Sequence, residues 1–519
     1  MDHGTILNPG TASTILVLES AGVSDTIFHI DGPEQYARIR EVLRGAGYNE
    51  KGLIGVLGPI QLPTRAGRDL PHFLHLTREP TPLNAMIRMF VVGSPVDEAA
   101  ARRALQPLPL EEWVRAGLVE VRDGVAHGRI RVLPFRDLLL ACDYADNVEA
   151  GGQLEQVMGI TASSAALADF TVRRPVGDTL DLGTGGGVQA FLAAPHSQRV
   201  CGIDVTARAI EFALLNAGLN DIAGLEFLQG NAFEPVRGRK FDLVVSNPPF
   251  AITPSFRYIY RDSGMELDGF CQNLVRRAPE FLNEGGFFQI CCDWVQVAGQ
   301  DWKQRLAGWF SNSGCDVWVL RTDNHSVASY ANMWIRDTEH ETTEGGARLY
   351  DDWLAYYARK RVEAVGTGLI AMRRVSGRAN WIRIEEAPDD VSGPFGDYVA
   401  LGFEMHDYLE TVKTDEALLG EKVRVSPLVR LDESCEWAEK AWRVTSARIR
   451  LARGLTYSSP IDLRLAGLVA RCDGQRPIRE LLVELAAATD SNVEKITPNC
   501  LTLLRQLIER GFLLPVPKS

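Results

Sequence analysis

Strand-like and helix-like segments alternate between residues 178 and 374, and this alternation constrains the fold more than any other feature of the sequence. Apolar segments of strand length are separated by segments with a helical pattern of apolar positions. Alternation of this kind predicts a mainly parallel sheet with helices on both faces. Strands are predicted at 178–183, 198–205, 225–229, 241–246, 286–292, 316–322 and 367–374. Helices are predicted near 206–217, 270–283 and 346–362.

A glycine-rich loop follows the first of these strands. Residues 180–190 read LDLGTGGGVQA, in which a strand ends, four glycines follow and a helix begins. Glycine lets backbone N–H groups approach a ligand because it has no Cβ and accepts positive φ. The next strand ends in Asp204, which follows Asp181 by about 20 residues, the spacing expected for a carboxylate that binds ribose hydroxyls. The two features together predict a site for an adenosine-containing ligand.

The spacing of the glycines separates two kinds of adenosine cofactor. A dinucleotide site uses Gly-x-Gly-x-x-Gly and holds pyrophosphate at the start of the helix. Here the loop reads Asp-x-Gly-x-Gly-x-Gly, and the carboxylate of Asp181 would repel a pyrophosphate. The same carboxylate suits a cationic group such as the ammonium of a methionine moiety.

The segments DLGTGGG and GID resemble the cofactor site of class I S-adenosylmethionine-dependent methyltransferases. The resemblance implies a Rossmann-like α/β fold with a seven-stranded sheet, S-adenosyl-L-methionine as cofactor and S-adenosyl-L-homocysteine as product. Asp181 would lie near the amino-acid end of the cofactor and Asp204 would hold its ribose. Asn231 stands where the family commonly has an acid facing the adenine amine, and its amide oxygen can accept the same bond. The implied cofactor-binding residues are Asp181, Gly183, Thr184, Gly185, Gly187, Asp204, Val205, Asn231 and Ala232.

The fourth strand ends in FDLVVSNPPF, residues 241–250, where two prolines cannot donate backbone hydrogen bonds. SNPPF resembles the [N/D/S]-P-P-[Y/F/W] signature of methyltransferases that modify a nitrogen conjugated to a planar group. These include the release-factor glutamine methyltransferases and the rRNA guanine-amine methyltransferases. The downstream segment YRDSGMELDGFCQNLV is similar to the Gly-Asp-Gly segment of the glutamine-methylating enzymes. A strand-ending turn with a core phenylalanine is the structural alternative.

The resemblance implies that the NPPF motif, Asn247, Pro248, Pro249 and Phe250, is catalytic. The Asn247 amide oxygen and the Pro248 carbonyl could accept two N–H bonds from an acceptor nitrogen and aim it at the methyl group. The prolines preset the geometry of that carbonyl. Phe250 could stack on the planar group. The predicted reaction is in-line N-methylation of an amide or aryl-amine nitrogen.

The segment after the motif, AITPSFRYIYRDSGMELDG, is the predicted substrate wall. Aromatic side chains interleaved with arginines suit a flat group, although a packed lid has the same composition. The substrate is predicted to be a protein glutamine or an RNA base, and the alternative is a small or peptide metabolite of a biosynthetic pathway. The predicted substrate-binding residues are Phe256, Arg257, Tyr258, Tyr260 and Arg261.

The chain of 519 residues extends beyond this domain on both sides and predicts several domains. In the first, the helix LEEWVRAGL of a winged-helix-like module carries two glutamates and one arginine, which favours packing or protein docking over DNA binding. A winged-helix regulatory protein with a cofactor-sensing pocket is the alternative from another class of function. The predicted domains are a helical and winged-helix-like domain at 1–148, the methyltransferase-like domain at 149–376, an irregular α+β extension at 377–455 and a small helical or winged module at 456–519.

Composition narrows the environment and the partners. The nine cysteines include no Cys-x-x-Cys pair, which predicts buried free thiols in a reducing cytoplasm. The nine histidines lack metal-ligand spacing, so no metal is predicted. A net charge of −12 argues against a large basic surface for nucleic acid. The sequence contains no bilayer-spanning apolar stretch and no signal-peptide pattern, so we expect a cytoplasmic protein without a membrane partner.

Overall fold

The computed structural model describes residues 26–58, 69–144, 155–338 and 343–517. The chain separates into two compact units. Unit 1 comprises Met1–Ala168 and Pro175–Glu385, and unit 2 comprises Asp169–Arg174 and Glu386–Ser519. The division into four domains stays a prediction, and the first two of them lie within unit 1 except for Asp169–Arg174.

The N-terminal part of unit 1 is mostly helical and ends in two small antiparallel sheets. One of these sheets has three strands, and the other has two. The elements are α1 (Pro33–Gly45), α2 (Glu50–Leu57), α3 (Leu70–Leu76), α4 (Pro82–Ile87, continued by a π-helical turn Arg88–Val92), β1 (Val96–Asp97), α5 (Glu98–Ala104), α6 (Leu110–Arg115), β2 (Val119–Arg122), β3 (Val125–Gly128), β4 (Arg131–Phe135) and β5 (Leu138–Cys142).

Helix α6 corresponds to the predicted helix LEEWVRAGL. Its apolar side chains Leu110 and Trp113 are buried, which explains why this short segment folds as a helix against the core. Its two glutamates make ion pairs with arginines of neighbouring helices, Glu111 with Arg102 at 2.6 Å and Glu112 with Arg38 at 3.0 Å. The two carboxylates of α6 are therefore paired within this part of the molecule, and the winged-helix identification stays a prediction.

The second part of unit 1 carries the predicted alternation of strands and helices. Short 3-10 turns follow several of the helices. The elements are α7 (Ala162–Phe170), β6 (Val176–Leu182), α8 (Val188–Ala193), β7 (Ser197–Asp204), α9 (Ala207–Asn220), β8 (Leu225–Gln229), β9 (Phe241–Ser246), α10 (Gly269–Arg277), β10 (Leu282–Val297), α11 (Trp302–Ala307), β11 (Cys315–Ser326), α12 (Val327–Thr338), α13 (Thr343–Arg359), β12 (Val362–Arg374) and β13 (Ile382–Glu386).

These strands form one eight-stranded sheet in the order β13-β11-β12-β10-β9-β6-β7-β8. Strands β10, β9, β6, β7 and β8 run parallel, and β12 is antiparallel to both β10 and β11. The mixed α/β fold with a mainly parallel sheet is confirmed, with β13 as a strand beyond the seven predicted. Strand β10 has 16 residues and extends past the predicted 286–292 because its ladder with β12 continues to Val297.

Apolar cores lie on both faces of the sheet. One core joins Leu180 and Val244 of the strands to Cys271 and Leu274 of α10. A second core, which includes Phe227 of β8, packs against α8 and α9. Strand residues alternate between the two cores because successive side chains point to opposite faces.

Unit 2 combines helices with small antiparallel sheets. Its C-terminal part, predicted as a small helical or winged module, contains three helices followed by a short strand. The elements are β14 (Val391–Ser392), α14 (Gly396–Thr411), α15 (Asp415–Leu419), β15 (Val423–Val425), β16 (Val429–Ala438), β17 (Ala441–Leu451), β18 (Gly454–Leu455), β19 (Ser458–Pro460), α16 (Leu463–Ala470), α17 (Ile478–Ala488), α18 (Val493–Glu509) and β20 (Leu513–Pro515).

The β16–β17 hairpin is the most exposed regular structure of unit 2. Its tip carries Trp437 and Trp442, which face each other across the strands with ring centroids 5.5 Å apart and are 62% and 69% exposed. Cys435 lies on the same face of the hairpin and is the exposed cysteine, whereas the other eight cysteines are buried. The prediction of buried thiols is therefore confirmed for eight of the nine.

Two kinds of feature are absent from the described ranges. In residues 26–58, 69–144, 155–338 and 343–517 the structure has no helix long and apolar enough to cross a membrane. Within the same ranges it has no cluster of three or more His, Cys, Asp or Glu side chains arranged to hold a metal ion.

Candidate active site

The glycine loop and the Asn-Pro-Pro-Phe loop begin side by side on the carboxyl edge of the sheet. Leu182 at the end of β6 is aligned with Ser246 at the end of β9, and the Ser246 hydroxyl donates to the Leu182 carbonyl at 2.8 Å. The chain leads from β6 to β7 and from β9 to β10, and these two next strands lie in opposite directions from the β6–β9 pair. Open α/β sheets bind ligands at such a switch point.

Backbone bonds from the neighbouring strand hold the glycine loop. The amides of Gly183 and Thr184 both donate to the Ile203 carbonyl, at 2.9 and 2.8 Å. Gly183 and Gly185 have positive φ angles of 75° and 53°, and a Cβ added at either would meet no atom within 4 Å. The open side of these two glycines is space that a ligand can occupy, so the loop fits the implied cofactor.

Gly187 serves a different purpose from the other two glycines of the motif. Its φ is 89°, and an added Cβ would lie 2.6 Å from the ring of Phe191 in the helix that follows. The structure therefore requires glycine here for packing between the loop and α8. Its predicted contact with the cofactor stays a prediction.

Asp181 and Thr184 lie beneath the glycine loop. Oδ2 of the buried Asp181 accepts a hydrogen bond from the Thr184 hydroxyl at 2.7 Å and from the Ala190 amide at 3.0 Å. Burial raises the pKa of the Asp181 carboxyl to about 7. These side chains hold the loop and the start of α8 together, and the Thr184 hydroxyl is directed inward rather than toward the open side of the glycines.

Asp204 connects the end of β7 to the glycine loop. Its Oδ2 accepts from the Gly185 amide at 2.9 Å, and its Oδ1 accepts from the Thr206 amide at 3.1 Å. Burial raises the pKa of the Asp204 carboxyl, and the hydrogen bonds to its charged form oppose that shift. The next residue, Val205, is 50% exposed at the same edge. Asp204 therefore lies next to the open Gly185, and the contacts of Asp204 and Val205 with a cofactor stay predictions.

The predicted adenine side follows β8. The Gly230 amide donates to the Asp204 carbonyl at 2.8 Å, which brings this turn to the edge of the sheet. Asn231 is exposed, and Ala232 has a φ of 49°, a conformation that non-glycine residues rarely adopt. Such backbone strain is often found at ligand sites, so the turn is a candidate contact for a cofactor.

The side chain of Asn247 is held from one side only. Its Nδ2 donates to the hydroxyls of Ser163 and Ser164 at 3.3 and 3.2 Å. The hydroxyl of Thr161 contacts both serine hydroxyls, at 2.8 and 2.9 Å. Oδ1 of Asn247 is buried and has no hydrogen-bond partner among the residues that the structure describes. An unfilled amide acceptor therefore lies beside the glycine loop.

The hydroxyl cluster formed by Thr161, Ser163 and Ser164 was not predicted. The local signal was a helix start, since the Thr161 hydroxyl accepts from the Ser164 amide at 3.2 Å and caps α7. Nothing in the sequence related that cap to Asn247, which follows Ser163 by 84 residues.

The rest of the NPPF motif is packed into the protein. Pro248 is buried, and Pro249 and Phe250 are half-buried. The Phe250 ring meets Trp334 of α12 edge to face, with centroids 6.2 Å apart. Phe250 is thus held on one side by an aromatic neighbour, which leaves its role toward a substrate as a proposal.

Two predicted substrate-binding residues belong to the interior. Tyr258 and Arg261 are about 1% exposed. Arg261 pairs with Asp262 at 2.6 Å, and its guanidinium lies 4.5 Å from the centre of the Tyr258 ring. This burial corrects the prediction of these two as substrate contacts, because an arginine and a tyrosine that satisfy each other inside the core offer no surface.

The outer side of the same segment remains at the surface. Phe256 and Arg257 are exposed, and Tyr260 is half-buried. The Gly-Asp-Gly-like part, LDG, has a structural role: Asp268 is buried, and both of its oxygens accept from Arg305 at 2.6 Å. The candidate substrate wall therefore reduces to the exposed part of the segment.

Comparisons with known proteins match this site. A family model described as "Methyltransferase small domain" matches residues 159–313. Models described as "Domain of unknown function (DUF7059)" and "Domain of unknown function (DUF7782)" match residues 45–131 and 401–515.

Similar curated proteins carry two different names. The chain is 35% identical over 161 residues to release factor glutamine methyltransferase of Geobacter sulfurreducens, which covers 28% of this chain and 54% of that protein. It is 34% identical over 137 residues to ribosomal RNA small subunit methyltransferase C of Cronobacter sakazakii, covering 25% and 36%. It is 32% identical over 149 residues to release factor glutamine methyltransferase of Vibrio cholerae, covering 26% and 49%.

The chain therefore contains a domain of the class I S-adenosylmethionine-dependent methyltransferase group, related to glutamine and ribosomal RNA methyltransferases. It spans between about a third and a half of the length of these relatives. The matched region contains the glycine loop, Asp204 and the NPPF motif.

Proposed function

We propose that this protein is an S-adenosylmethionine-dependent methyltransferase that methylates a planar amide or aryl-amine nitrogen. The observation that carries the proposal is the buried Oδ1 of Asn247, an acceptor without a partner in the described part of the chain. A buried acceptor without a partner is costly, and the cost is recovered when a ligand N–H fills it. A nitrogen with two hydrogens is the group that fits.

The cofactor would lie on the open side of Gly183 and Gly185, with Asp204 at its ribose. When bound, it supplies a methyl group on a positively charged sulfur. Asp181 shapes the loop from below, because its carboxyl accepts hydrogen bonds from Thr184 and from Ala190 at the start of α8. These residues bind and orient, and none of them needs to act as a base.

The chain's contribution to the reaction lies in the acceptor loop. The Asn247 amide oxygen would accept one N–H of the acceptor nitrogen, and the Pro248 carbonyl would accept the other. Both bonds draw the nitrogen lone pair out of conjugation and direct it along the line of displacement. A bond from nitrogen to carbon forms as the bond from sulfur to carbon breaks. The methylated nitrogen then loses a proton to solvent.

A protein glutamine or an RNA base is the proposed substrate. Both carry a planar nitrogen with two hydrogens, and the related proteins are named for one or the other. The exposed Phe256 and Arg257 beside the motif provide an aromatic face and a positive charge, which suit a flat polar group.

The first test is cofactor binding, measured by calorimetry with S-adenosylmethionine and S-adenosylhomocysteine on the full chain. The second is transfer of labelled methyl from the cofactor into protein, RNA and small-molecule fractions of a bacterial lysate. We expect binding and label in the protein or RNA fraction. Absence of binding would refute the methyltransferase proposal. Label confined to the small-molecule fraction would refute the substrate class alone.

A further inference from the structure

Helices α12 and α13, which follow β11, lie outside the region matched by the methyltransferase family model. That match ends at residue 313, whereas the helix pair covers Val327–Thr338 and Thr343–Arg359. The two helices form an apolar core with Ile252, the second residue after the NPPF motif. The acceptor loop is therefore supported by helices that lie outside the matched region.

Two tyrosine hydroxyls from this helix pair hold the backbone of Ile252. The Ile252 amide donates to the hydroxyl of Tyr330 on α12 at 3.1 Å. The Ile252 carbonyl accepts from the hydroxyl of Tyr357 on α13 at 2.7 Å. Both tyrosines are fully buried. We call this arrangement the tyrosine clamp.

Asp293 of β10 determines the direction of the hydrogen bonds in the clamp. Its Oδ2 accepts from the Tyr330 hydroxyl at 2.5 Å, and its Oδ1 accepts from the Thr367 hydroxyl at 2.7 Å. A tyrosine hydroxyl has one proton and can also accept. Because the Tyr330 hydroxyl donates its proton in the hydrogen bond to Asp293, its oxygen is free to accept from the Ile252 amide. The carboxylate thereby selects the hydrogen-bond pattern that the loop needs.

The segment between β9 and the tyrosine clamp has little conformational freedom. On one side, Asn247 follows the last residue of β9 directly. On the other side, Ile252 is fixed by the two hydroxyls. Between them, Pro248 and Pro249 have fixed φ angles, so few torsions can move Asn247 relative to the sheet. Restraint at Ile252 is therefore transmitted to the two acceptor groups.

We propose that Tyr330 and Tyr357 are positioning residues for methyl transfer, acting through Ile252 on Asn247 and the Pro248 carbonyl. This inference rests on the proposed function, because it assigns the clamp to the same acceptor site. Removal of either hydroxyl leaves one polar group of the Ile252 peptide without a partner and loosens the loop. The chemical step should slow while cofactor binding at the glycine loop stays the same.

The test compares Tyr330→Phe and Tyr357→Phe with Tyr350→Phe. Tyr350 is the matched control, since it lies on α13 and its hydroxyl donates to the Ala328 carbonyl of α12 at 3.4 Å, away from the acceptor loop. Hydrogen exchange of the peptide that contains Ile252 reports the clamp without a substrate. Two further measurements are made on each variant. One is cofactor affinity by calorimetry, and the other is the rate of labelled methyl transfer into the lysate fraction that accepts the label.

We expect faster exchange at Ile252 for Tyr330→Phe, a transfer rate at least about ten times lower for both clamp variants, and cofactor affinity within about twofold. Tyr350→Phe should match the wild type in all three. Clamp variants with wild-type exchange and transfer rates would refute the inference. If the wild type binds no cofactor, the proposed function fails, and the exchange experiment still decides whether the clamp restrains the loop.

Loss of folding is excluded by comparing the unfolding free energies of the three variants. Tyr357→Phe serves as the second clamp variant because it does not disturb Asp293. If Tyr330→Phe unfolds, Tyr357→Phe alone decides the outcome, and a wild-type transfer rate in a folded Tyr357→Phe protein would refute the inference.

Discussion

The glycine loop and the Asn-Pro-Pro-Phe loop leave neighbouring parallel strands at the same edge, yet they are stabilised in opposite ways. The glycine loop is held by partners close in the chain: Thr184 and Ala190 are three and nine residues from Asp181, and Asp204 is 19 residues from Gly185. The acceptor loop is held by partners far away, with Tyr330 and Tyr357 following Ile252 by 78 and 105 residues. The first loop is a local structure, and the second depends on the assembled fold.

The difference indicates how the two halves of the site can vary. A loop held within one strand–helix–strand unit keeps its shape wherever that unit occurs, which suits a cofactor common to many proteins. A loop held by distant helices can change when those helices change. We therefore expect substrate preference to depend on the two clamp tyrosines of α12 and α13 and on the exposed segment that contains Phe256 and Arg257.

The largest expected effect separates the two loops by function. Asn247→Ala should lower methyl transfer by about a hundredfold or more, because it removes a buried hydrogen-bond acceptor from the reacting nitrogen. Its cofactor affinity should change by less than about threefold. The exposed Asn332 on α12 provides the control, since Asn332→Ala should behave as wild type. Equal loss of binding and transfer in Asn247→Ala would show that the loops are not separate.

The second effect concerns the glycine loop alone. Gly183→Ala should weaken cofactor binding by about tenfold or more, because the new methyl group enters the open space and the residue must keep a φ of 75°. Gly238→Ala is the matched control, with a φ of 82° and equally open surroundings outside the site. Both should lose about 1 kcal/mol of stability. Similar cofactor affinities in the two variants would contradict a cofactor on Gly183.

The third effect concerns the buried aspartate that supports each loop: Asp181 beneath the glycine loop and Asp293 behind the tyrosine clamp. Burial raises the pKa of Asp181 and of Asp293 to about 7, above the ordinary value of an unfolded chain. The folded state then binds protons more tightly, so the free energy of unfolding should fall as the pH rises from about 4 to 7. A pKa that is higher by one in the folded state than in the unfolded state corresponds to about 1.4 kcal/mol of that fall.

Variants of these aspartates identify the source of that fall. Asp181→Asn and Asp293→Asn should each flatten the dependence of unfolding free energy on pH, measured by denaturant titration between pH 4 and 7. The exposed Asp390 supplies a control in Asp390→Asn, which should keep the wild-type slope. An unchanged slope in both buried variants would show that neither carboxyl titrates in this range.

The smallest effect concerns the hydroxyl cluster. Ser164→Ala should reduce methyl transfer by about threefold, since Ser163 still accepts from the Asn247 amide. The double variant Ser163→Ala with Ser164→Ala should lose about tenfold, and the exposed Ser311→Ala should lose nothing. A larger effect on cofactor affinity than on transfer would assign the serines to the glycine loop instead.

The fold was predictable where the sequence carries short-range signals. Glycine and apolar periodicity placed the parallel strands and the glycine loop, because both depend on neighbours in the chain. Helix α12 was not predicted because β11 ends at Ser326 and α12 begins at Val327, with no glycine or proline between them to mark a boundary. The length of β10 was not predicted because it depends on the ladder with β12.

The site was predictable where its residues lie at or next to the ends of predicted strands. Asp204 ends β7 and Asn247 follows β9, so their positions at one edge could be inferred from the sequence alone. Tyr258 and Arg261 carried a composition that suits a substrate wall, but their burial depends on packing that the sequence does not reveal. Asp293 and Tyr330 were missed because they are 37 residues apart, with α11 and β11 between them.

The exposed thiol of Cys435 in unit 2 makes the protein suitable for selective chemical labelling. Burial raises the pKa of Cys142, Cys201 and Cys472 to about 12, so these thiols are both inaccessible and protonated at neutral pH. Cys435 on the β16–β17 hairpin should therefore react alone with an alkylating reagent in the native protein. Unfolding should raise the number of reactive thiols from one to nine. Mass spectrometry of the alkylated protein would then count folded molecules directly.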